Sequence, residues 1–230
     1  MANSFSNRRD NLSRKVLDNS AIIVGSAQTK SRVSDTDYPY RQDSNFFYLS
    51  GYEEPESLIL LRPGRENEEF ILFCRDRDPL REQWDGFRTG QEGAVEQFGA
   101  DVAYSINSID SLMPGLLEGI KNIYFSMSSP CGVDIKIPQW VENIRKNTRA
   151  GAEPPHNLLS LDLILHEMRL IKEDHELETM RKAASITTEA HIRAMKAVKP
   201  GMFEYQLEAE YLYAFNKNGA RSPAYNSIVG

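Results

Sequence analysis

The sequence predicts an α/β protein in which a mixed sheet flanked by helices is followed by an unfinished domain of two helices and the start of a strand. Over the first 150 residues, short apolar runs of strand length alternate with segments of helical spacing, which is typical of α/β architecture. Two longer helical patterns occupy the last third, and they are too few to enclose a core by themselves. A chain of 230 residues is long enough to form two domains of ordinary size.

Apolar runs bounded by turn residues are the predicted strands of the first domain. They occupy residues 21–25, 57–61, 69–74, 102–106 and 122–127. Adjacent Pro63 and Gly64 form a turn between the second and third runs, which therefore predict a hairpin. The predicted helices are residues 5–18, 92–98, 109–119 and 138–147.

A change of composition near residue 150 predicts the boundary between the two domains. Residues 149–155 include a glycine and the paired prolines Pro154 and Pro155, which cannot continue a helix and favour an extended connection. We therefore predict one domain over residues 1–150, a junction over 151–172 and a second domain over 173–230.

The last third of the chain has well-marked helix ends. Asp174 is suited to cap a helix whose apolar residues recur at steps of three and four, and Pro200 with Gly201 ends that helix. A second helix is predicted over residues 203–218, with Gly219 as a left-handed C-cap. A strand is then expected to begin near Tyr225.

Composition excludes several classes of function. Lysine and arginine number 27 against 33 aspartates and glutamates, a net charge of −6 without a long basic run, so nucleic acid is not an expected partner. The apolar runs are far shorter than the roughly 20 residues that cross a bilayer, so neither a signal peptide nor a membrane helix is predicted. The two cysteines, Cys74 and Cys131, fit neither a disulfide framework nor a zinc site and indicate a reducing cytoplasm.

The residues that could carry chemistry favour structural interpretations. His166 and His175 each precede a glutamate, like the start of the zinc-protease motif H-E-x-x-H, but both lack the second histidine one turn later. Glu204 and Glu208 share a helix face, which solvation explains better than metal binding or acid–base work. Cys74 ends a strand pattern and is interpreted as a packed thiol rather than a nucleophile.

One long segment and four shorter ones resemble a known family, in the same order along the chain. The long segment is residues 38–51, followed closely by Glu54, Pro55 and Glu56. The shorter ones are residues 166–170, 190–195, 200–205 and 219–230. On these segments the sequence resembles the aminopeptidase P family. The long segment matches its N-terminal domain, and the others match the entry into its catalytic domain.

The resemblance implies an α/β fold with a creatinase-like N-terminal mixed sheet flanked by helices, followed by an incomplete α+β pita-bread catalytic domain. The family removes the first residue from peptides whose second residue is proline, and its members use two manganese ions. Such ions supply a hydroxide nucleophile at neutral pH and polarise the scissile carbonyl. The family's ligands, two aspartates, one histidine and two glutamates, follow the motif that ends here at Gly230. We therefore expect no catalytic residue, metal ligand or bound manganese in residues 1–230, and no activity from them alone.

Three residues match positions that the family places near substrate. Trp84 resembles a tryptophan that reaches the active site of a neighbouring subunit, where an indole could cover the proline ring; a domain-packing tryptophan is the alternative. Tyr225 resembles a tyrosine of the peptide pocket, with a residue of a core strand as the alternative. Arg149 is a weaker match to an arginine that faces the peptide end across the subunit interface, and a solvated arginine is the alternative.

The resemblance also implies partners and leaves other functions open. Peptides that begin Xaa-Pro are the expected substrates, and the family suggests a homo-oligomer, a tetramer. A non-catalytic peptide-binding or assembly module would keep the same scaffold. A prolidase, which takes dipeptides, shares the fold, but the long match over residues 38–51 favours aminopeptidase P.

Overall fold

A mixed sheet lies at the centre of the first of two units into which the chain divides, Met1–Met168 and Arg169–Gly230. The computed structural model describes residues 2–127, 129 and 131–228. Within these ranges the strands are β1 (Ser20–Gly25), β2 (Ser31–Val33), β3 (Thr36–Asp37), β4 (Leu58–Leu61), β5 (Phe70–Cys74), β6 (Val102–Ser105), β7 (Asn122–Phe125) and β8 (Asn157–Ser160). The main sheet has the order β6-β5-β4-β1-β7-β8, and β2 pairs with β3 separately.

The sheet is mixed because β4 runs against both of its neighbours. β1 pairs antiparallel with β4, placing Ile23 opposite Leu60, and β4 pairs antiparallel with β5, which confirms the predicted hairpin. The pairs β5 with β6, β1 with β7 and β7 with β8 are parallel. In this sheet the strands other than β4 therefore point the same way, and their carboxyl ends meet at one edge, which we term the carboxyl edge.

Both faces of the four inner strands, β1, β4, β5 and β7, are covered, which explains why these strands are continuous apolar runs rather than alternating ones. In β1, Ile22 belongs to the hydrophobic core on one face and Ile23 to the core on the other. β5 divides in the same way, with Leu72 and Cys74 on the first face and Phe73 on the second. The predicted mixed sheet between helices is thus confirmed.

The helices around the sheet differ in part from the predicted ones. They are α1 (Ala2–Ser13), α2 (Ser44–Ser50), α3 (Pro79–Asp85), α4 (Gly90–Phe98), α5 (Ile109–Leu117), α6 (Val133–Arg145) and α7 (Asp162–Leu170). The sequence pattern misses α2 and α3, because seven residues are too few for apolar spacing to recur over several turns. α6 begins before Pro138, where the prediction started it, because burial of Val133 and Ile137 outweighs the hydrogen bond that proline removes.

The residues predicted as a junction, 151–172, contain ordered elements of the first unit. β8 is the outer strand of the sheet and pairs with β7, which places Leu159 opposite Tyr124. Leu161 and Leu165 are then buried in the core against the sheet. Since pairing and burial hold these residues, the first unit extends to Met168, beyond the predicted end of the first domain near residue 150.

Two buried arginines fasten α1 to the end of α2. Arg8 donates from Nη1 to the carbonyl of Tyr48 at 3.1 Å, and Arg9 donates to the carbonyl of Leu49 at 2.9 Å. The Arg9 guanidinium also lies 3.9 Å from the ring centroid of Phe70 in β5. Carbonyls in the last turn of a helix lack partners within the helix, so these donors satisfy groups that would otherwise be buried unpaired.

The second unit consists of two helices, α8 (Asp174–Ala197) and α9 (Glu204–Lys217), within residues 169–228. Glu173, rather than the predicted Asp174, caps α8, because its side chain and that of Glu176 form a reciprocal capping box. Gly219 follows α9 with the expected positive φ, 85°. Among the described residues no helix is long and apolar enough to cross a bilayer.

Candidate functional site

Trp84 lies on α3, which leaves the carboxyl edge of the sheet directly after β5. α3 begins with Pro79 and is capped by Asp78, whose Oδ1 accepts from the Arg81 amide at 3.1 Å. Every residue of the helix is exposed or half-exposed, and the side chain of Trp84 is 88% exposed. The alternative of a tryptophan packed within its own domain therefore does not describe this residue.

The segment that carries Trp84 is braced by its own side chains. Arg77 donates to both carboxylate oxygens of Glu82, from Nε at 2.6 Å and from Nη2 at 2.9 Å. This hydrogen bonding raises the pKa of Arg77 and lowers the pKa of Glu82, so both stay charged at neutral pH. The guanidinium of Arg77 also lies 4.3 Å from the ring centroid of Phe87. The segment therefore keeps its shape without a core of its own.

Two carboxylates join this segment to the sheet. Glu54 accepts from Arg75 Nη2 at 3.1 Å and from the Thr89 amide at 2.7 Å. Asp76 accepts from Ser105 Oγ, at the end of β6, at 2.6 Å. These contacts all lie at the carboxyl edge, which is where open α/β sheets generally bind ligands.

The groups beneath these anchors are uncharged at neutral pH. Cys74 is buried at the end of β5, and burial raises the pKa of its thiol to about 11. Burial likewise raises the pKa of Tyr52, whose hydroxyl is buried beside Cys74 and Glu54. A buried neutral thiol is a poor nucleophile, so the interpretation of Cys74 as a packed thiol is confirmed.

Arg149 lies at the opposite edge of the sheet from Trp84. It is exposed in a short turn, Thr148–Ala150, that follows α6. The chain after this turn runs beside the start of β7, since the Gly119 amide donates to the Glu153 carbonyl at 2.8 Å. The amino ends of the parallel strands meet there, so the structure does not bring Arg149 and Trp84 together within one chain.

Tyr225 lies in the second unit, where its side chain is 76% exposed. Residues 221–228 form no strand, so the expected strand near Tyr225 is not observed. A strand needs a hydrogen-bonding partner, and the strand pairings among the described residues all lie in the first unit. The alternative of a residue in a core strand therefore does not apply to Tyr225 in this structure.

The histidine and glutamate motifs occupy structural positions. His166 is exposed on α7, and His175 lies 3.3 Å from Glu173 at the start of α8. Glu204 is exposed in the first turn of α9, and Glu208 is half-buried one turn later. Within residues 2–127, 129 and 131–228, no three His, Cys, Asp or Glu side chains come together as a metal site. The described residues therefore do not fit a metal centre.

Glu54 is the site residue that sequence reasoning missed. It belongs to the segment that carries the family resemblance, and the predicted hairpin of residues 57–61 and 69–74 brings that segment near residue 75, but no local pattern links it to residue 89. The charge of Arg75 just after a predicted strand was the available signal, since a buried arginine needs an acidic partner. That signal does not say which of the many acidic residues is the partner.

Comparison with known proteins matches both parts of the chain to peptidase domains. Residues 5–124 match the family described as aminopeptidase P, N-terminal domain, and residues 178–230 match metallopeptidase family M24. The fold and these matches define a class: an N-terminal α/β domain of the aminopeptidase P type, joined to part of an M24 metallopeptidase domain.

Named relatives extend over nearly the whole chain. The Xaa-Pro aminopeptidase of Escherichia coli is 38% identical over 227 residues, which is 98% of this chain and 52% of the relative. That of Haemophilus influenzae is 36% identical, over 98% of this chain and 50% of the relative. The solved structure of Pseudomonas aeruginosa aminopeptidase PepP superposes with a TM-score of 0.97 at 45% identity, covering 99% of this chain and 52% of that one.

The chain belongs to the aminopeptidase P family. It spans about half the length of the relatives that it matches. The resemblance inferred from residues 38–51 and from the four later segments is thereby confirmed, as is the creatinase-like fold followed by part of a catalytic domain.

Proposed function

We propose that this chain, continued to the length of its relatives, is an Xaa-Pro aminopeptidase that removes the first residue from peptides with proline in second position. Its family membership supports this assignment. One observation supports a part for residues 1–230 in substrate binding. The indole of Trp84 is 88% exposed, on a helix without core packing at the carboxyl edge. An apolar ring held outside its own domain suits contact with a proline ring, which offers no N–H for recognition.

Trp84, Arg149 and Tyr225 are the proposed substrate-binding residues. Trp84 and Arg149 lie at opposite edges of one sheet, so we assign them to contacts across subunit boundaries rather than to one pocket of one subunit. Trp84 would cover the proline ring, Arg149 would face the charged end of the peptide, and Tyr225 would line the peptide pocket. Each is exposed and thus accessible to a partner.

We propose that the metal ligands of the complete enzyme lie outside the described residues. A match to metallopeptidase family M24 implies a divalent metal, and we propose two manganese ions for the complete enzyme. The described residues do not converge on a metal site, and we assign to them the binding and orientation of the peptide.

We further propose that the protein is a homo-oligomer, a tetramer, in the cytoplasm. The exposed apolar side chains near Trp84 support association, since Leu80 is 77% and Phe87 65% exposed. Leu80 and Trp84 lie one turn apart on α3, and exposed apolar surface of this kind is typical of interaction sites. The two free cysteines support a reducing compartment.

Kinetics of a full-length enzyme test the proposal. Trp84→Ala should lower kcat/KM for Xaa-Pro tripeptides while leaving the melting temperature unchanged, because the indole contacts substrate and not its own core. Unchanged kinetics with a lowered melting temperature would contradict the role of Trp84. Cleavage confined to dipeptides would identify a prolidase instead, and a metal-loaded full-length protein without hydrolysis would identify a binding module.

A further inference from the structure

One carboxylate closes the base of the segment that carries Trp84. This segment, residues 76–88, leaves the sheet after Arg75 and rejoins it at Thr89, and we term it the Trp84 projection. Glu54 Oε2 accepts from Arg75 Nη2 at 3.1 Å, and Glu54 Oε1 accepts from the Thr89 amide at 2.7 Å. The two oxygens of one side chain therefore hold the two ends of the projection.

The contacts of Glu54 with Arg75 and Thr89, which we term the Glu54 clamp, are shielded from solvent. The side chains of Glu54 and Arg75 are only 16% and 15% exposed. Charge-assisted hydrogen bonds are stronger in such surroundings than at the surface, and loss of one partner leaves the other charge poorly solvated. A substitution that removes the charge of Glu54 therefore affects both ends of the projection at once.

Glu54 is itself held in place by its backbone. Its carbonyl accepts from Gln42 Nε2 at 2.9 Å. The side-chain oxygen of Gln42 in turn accepts from the amides of Ala27 and Asp43, each at 2.8 Å. Residue 27 follows β1 closely. These hydrogen bonds therefore connect Glu54 to the central part of the sheet rather than to a free loop.

The orientation of Trp84 depends on these polar anchors. α3 lacks core packing, and the pairing of Arg77 with Glu82 holds the projection together internally. At its base, Gly90 has a φ of 65°, and a Cβ there would come within 2.7 Å of Arg77 Cγ. Because the Trp84 projection is internally rigid, loosening the contacts at its two ends moves it as a unit. The largest displacement then falls on the part farthest from the sheet, which carries Trp84.

We propose that Glu54 is a positioning residue for peptide recognition, which sets the location of Trp84 by fixing both ends of the Trp84 projection. The proposal rests on the proposed role of Trp84 in binding substrate. Glu54 contacts the two ends of the projection and acts through Trp84 rather than on the peptide. A displacement of about 1 Å in a positioning group can cost as much as 100-fold in rate, so a loosened base has a measurable consequence.

A double-mutant cycle in a full-length enzyme tests this coupling. Glu54→Gln keeps the size of the side chain but loses the charge that Arg75 needs, and we expect kcat/KM for an Xaa-Pro tripeptide to fall about 10-fold. In a Trp84→Ala background the same substitution should have little further effect. An equal fall in both backgrounds, or no fall in the wild type, would overturn the proposal. Unchanged kinetics of Trp84→Ala alone would instead overturn the underlying role of Trp84.

A matched control and a second variant keep the test specific. Glu53→Gln removes the same charge from the neighbouring exposed residue and should leave kinetics unchanged. Glu54→Asp keeps the charge but shortens the side chain, so one carboxylate no longer reaches both ends, and a smaller loss is expected. If Glu54→Gln does not fold, Glu54→Asp replaces it in the double-mutant cycle. The fall in kcat/KM caused by Glu54→Asp must then again disappear in the Trp84→Ala background.

A readout independent of activity uses the arginines of the Trp84 projection as reporters. Trypsin should cut after Arg77, Arg81 and Arg88 faster in Glu54→Gln than in the wild type, because a loosened segment reaches the protease more often. Glu53→Gln should be cut at the wild-type rate. Equal cutting of all three proteins would show that Glu54 does not hold the projection.

Discussion

The indole Nε1 of Trp140 donates a hydrogen bond to Oδ1 of Asp110 at 2.8 Å, which links α6 to α5. Trp140 is 1% exposed in the core on one face of the sheet, whereas Trp84 is 88% exposed. The two tryptophans of the chain thus have opposite surroundings. Trp140 is packed within the domain, whereas Trp84 presents its apolar ring to the outside.

The two tryptophans should therefore differ sharply in their contribution to stability. Trp140→Ala removes a large buried side chain and should lower the free energy of unfolding by about 3–5 kcal/mol. Trp84→Ala should change it by no more than about 0.5 kcal/mol, as at other exposed positions. Urea denaturation of both variants gives the comparison directly, and a large loss for Trp84→Ala would contradict the exposed position.

Asp110 should make the stability of the first unit depend on pH in the acidic range. Burial alone would raise the pKa of Asp110, but hydrogen bonds from Trp140 and Lys136 outweigh it and hold the pKa below its ordinary value. A carboxyl with a lowered pKa stabilises the fold above its unfolded pKa of about 3.9, and this stabilisation is lost as the pH falls through the folded value.

We accordingly expect Asp110→Asn to destabilise the protein near neutral pH and to matter progressively less in acid. The measurement is the free energy of unfolding of wild type and variant between about pH 6 and pH 2, across the range in which a carboxyl titrates. A difference that stays constant over this range would show that the charge of Asp110 contributes nothing. Asn keeps an acceptor for the Trp140 indole, so the comparison isolates the charge.

Arg9 should be important for stability although it is charged. It is 8% exposed, and Arg9→Ala would leave the Leu49 carbonyl without its donor and remove the guanidinium from the face of Phe70. We expect a loss of about 2–3 kcal/mol in the free energy of unfolding. Arg14→Ala, at an exposed position just beyond α1, is the control and should be nearly neutral. Equal effects of the two substitutions would refute the role of Arg9.

Manganese should not bind tightly to residues 1–230 alone. The carboxylates and histidines of the described residues do not converge, and solvated carboxylates bind metal weakly because ligands must be gathered and desolvated. Calorimetry with manganese should show no stoichiometric tight site, and an assay with an Xaa-Pro peptide should show no release of the first residue. Tight binding accompanied by metal-dependent cleavage would contradict this prediction.

The sequence by itself determined the features that depend on local patterns. Alternating strand and helix signals predict the α/β class, and Pro63 with Gly64 predicts the hairpin of β4 and β5, because turn chemistry acts over a few residues. The burial of Cys74 follows from its position at the end of an apolar run. The segment 38–51 contained enough specific residues to indicate the family before any coordinates.

Only the tertiary structure decided which distant residues meet. It shows that Trp140 is buried and Trp84 exposed, that β8 belongs to the sheet, and that Arg149 lies at the edge opposite Trp84. Above all it places Glu54 between Arg75 and Thr89. Such contacts join residues 21 and 35 positions apart, and they form because strand pairing brings remote segments to one edge of the sheet. The hairpin turn at Pro63 and Gly64 brings the chain before β4 close to Arg75, but local propensity and spacing carry no information about the contact with Thr89.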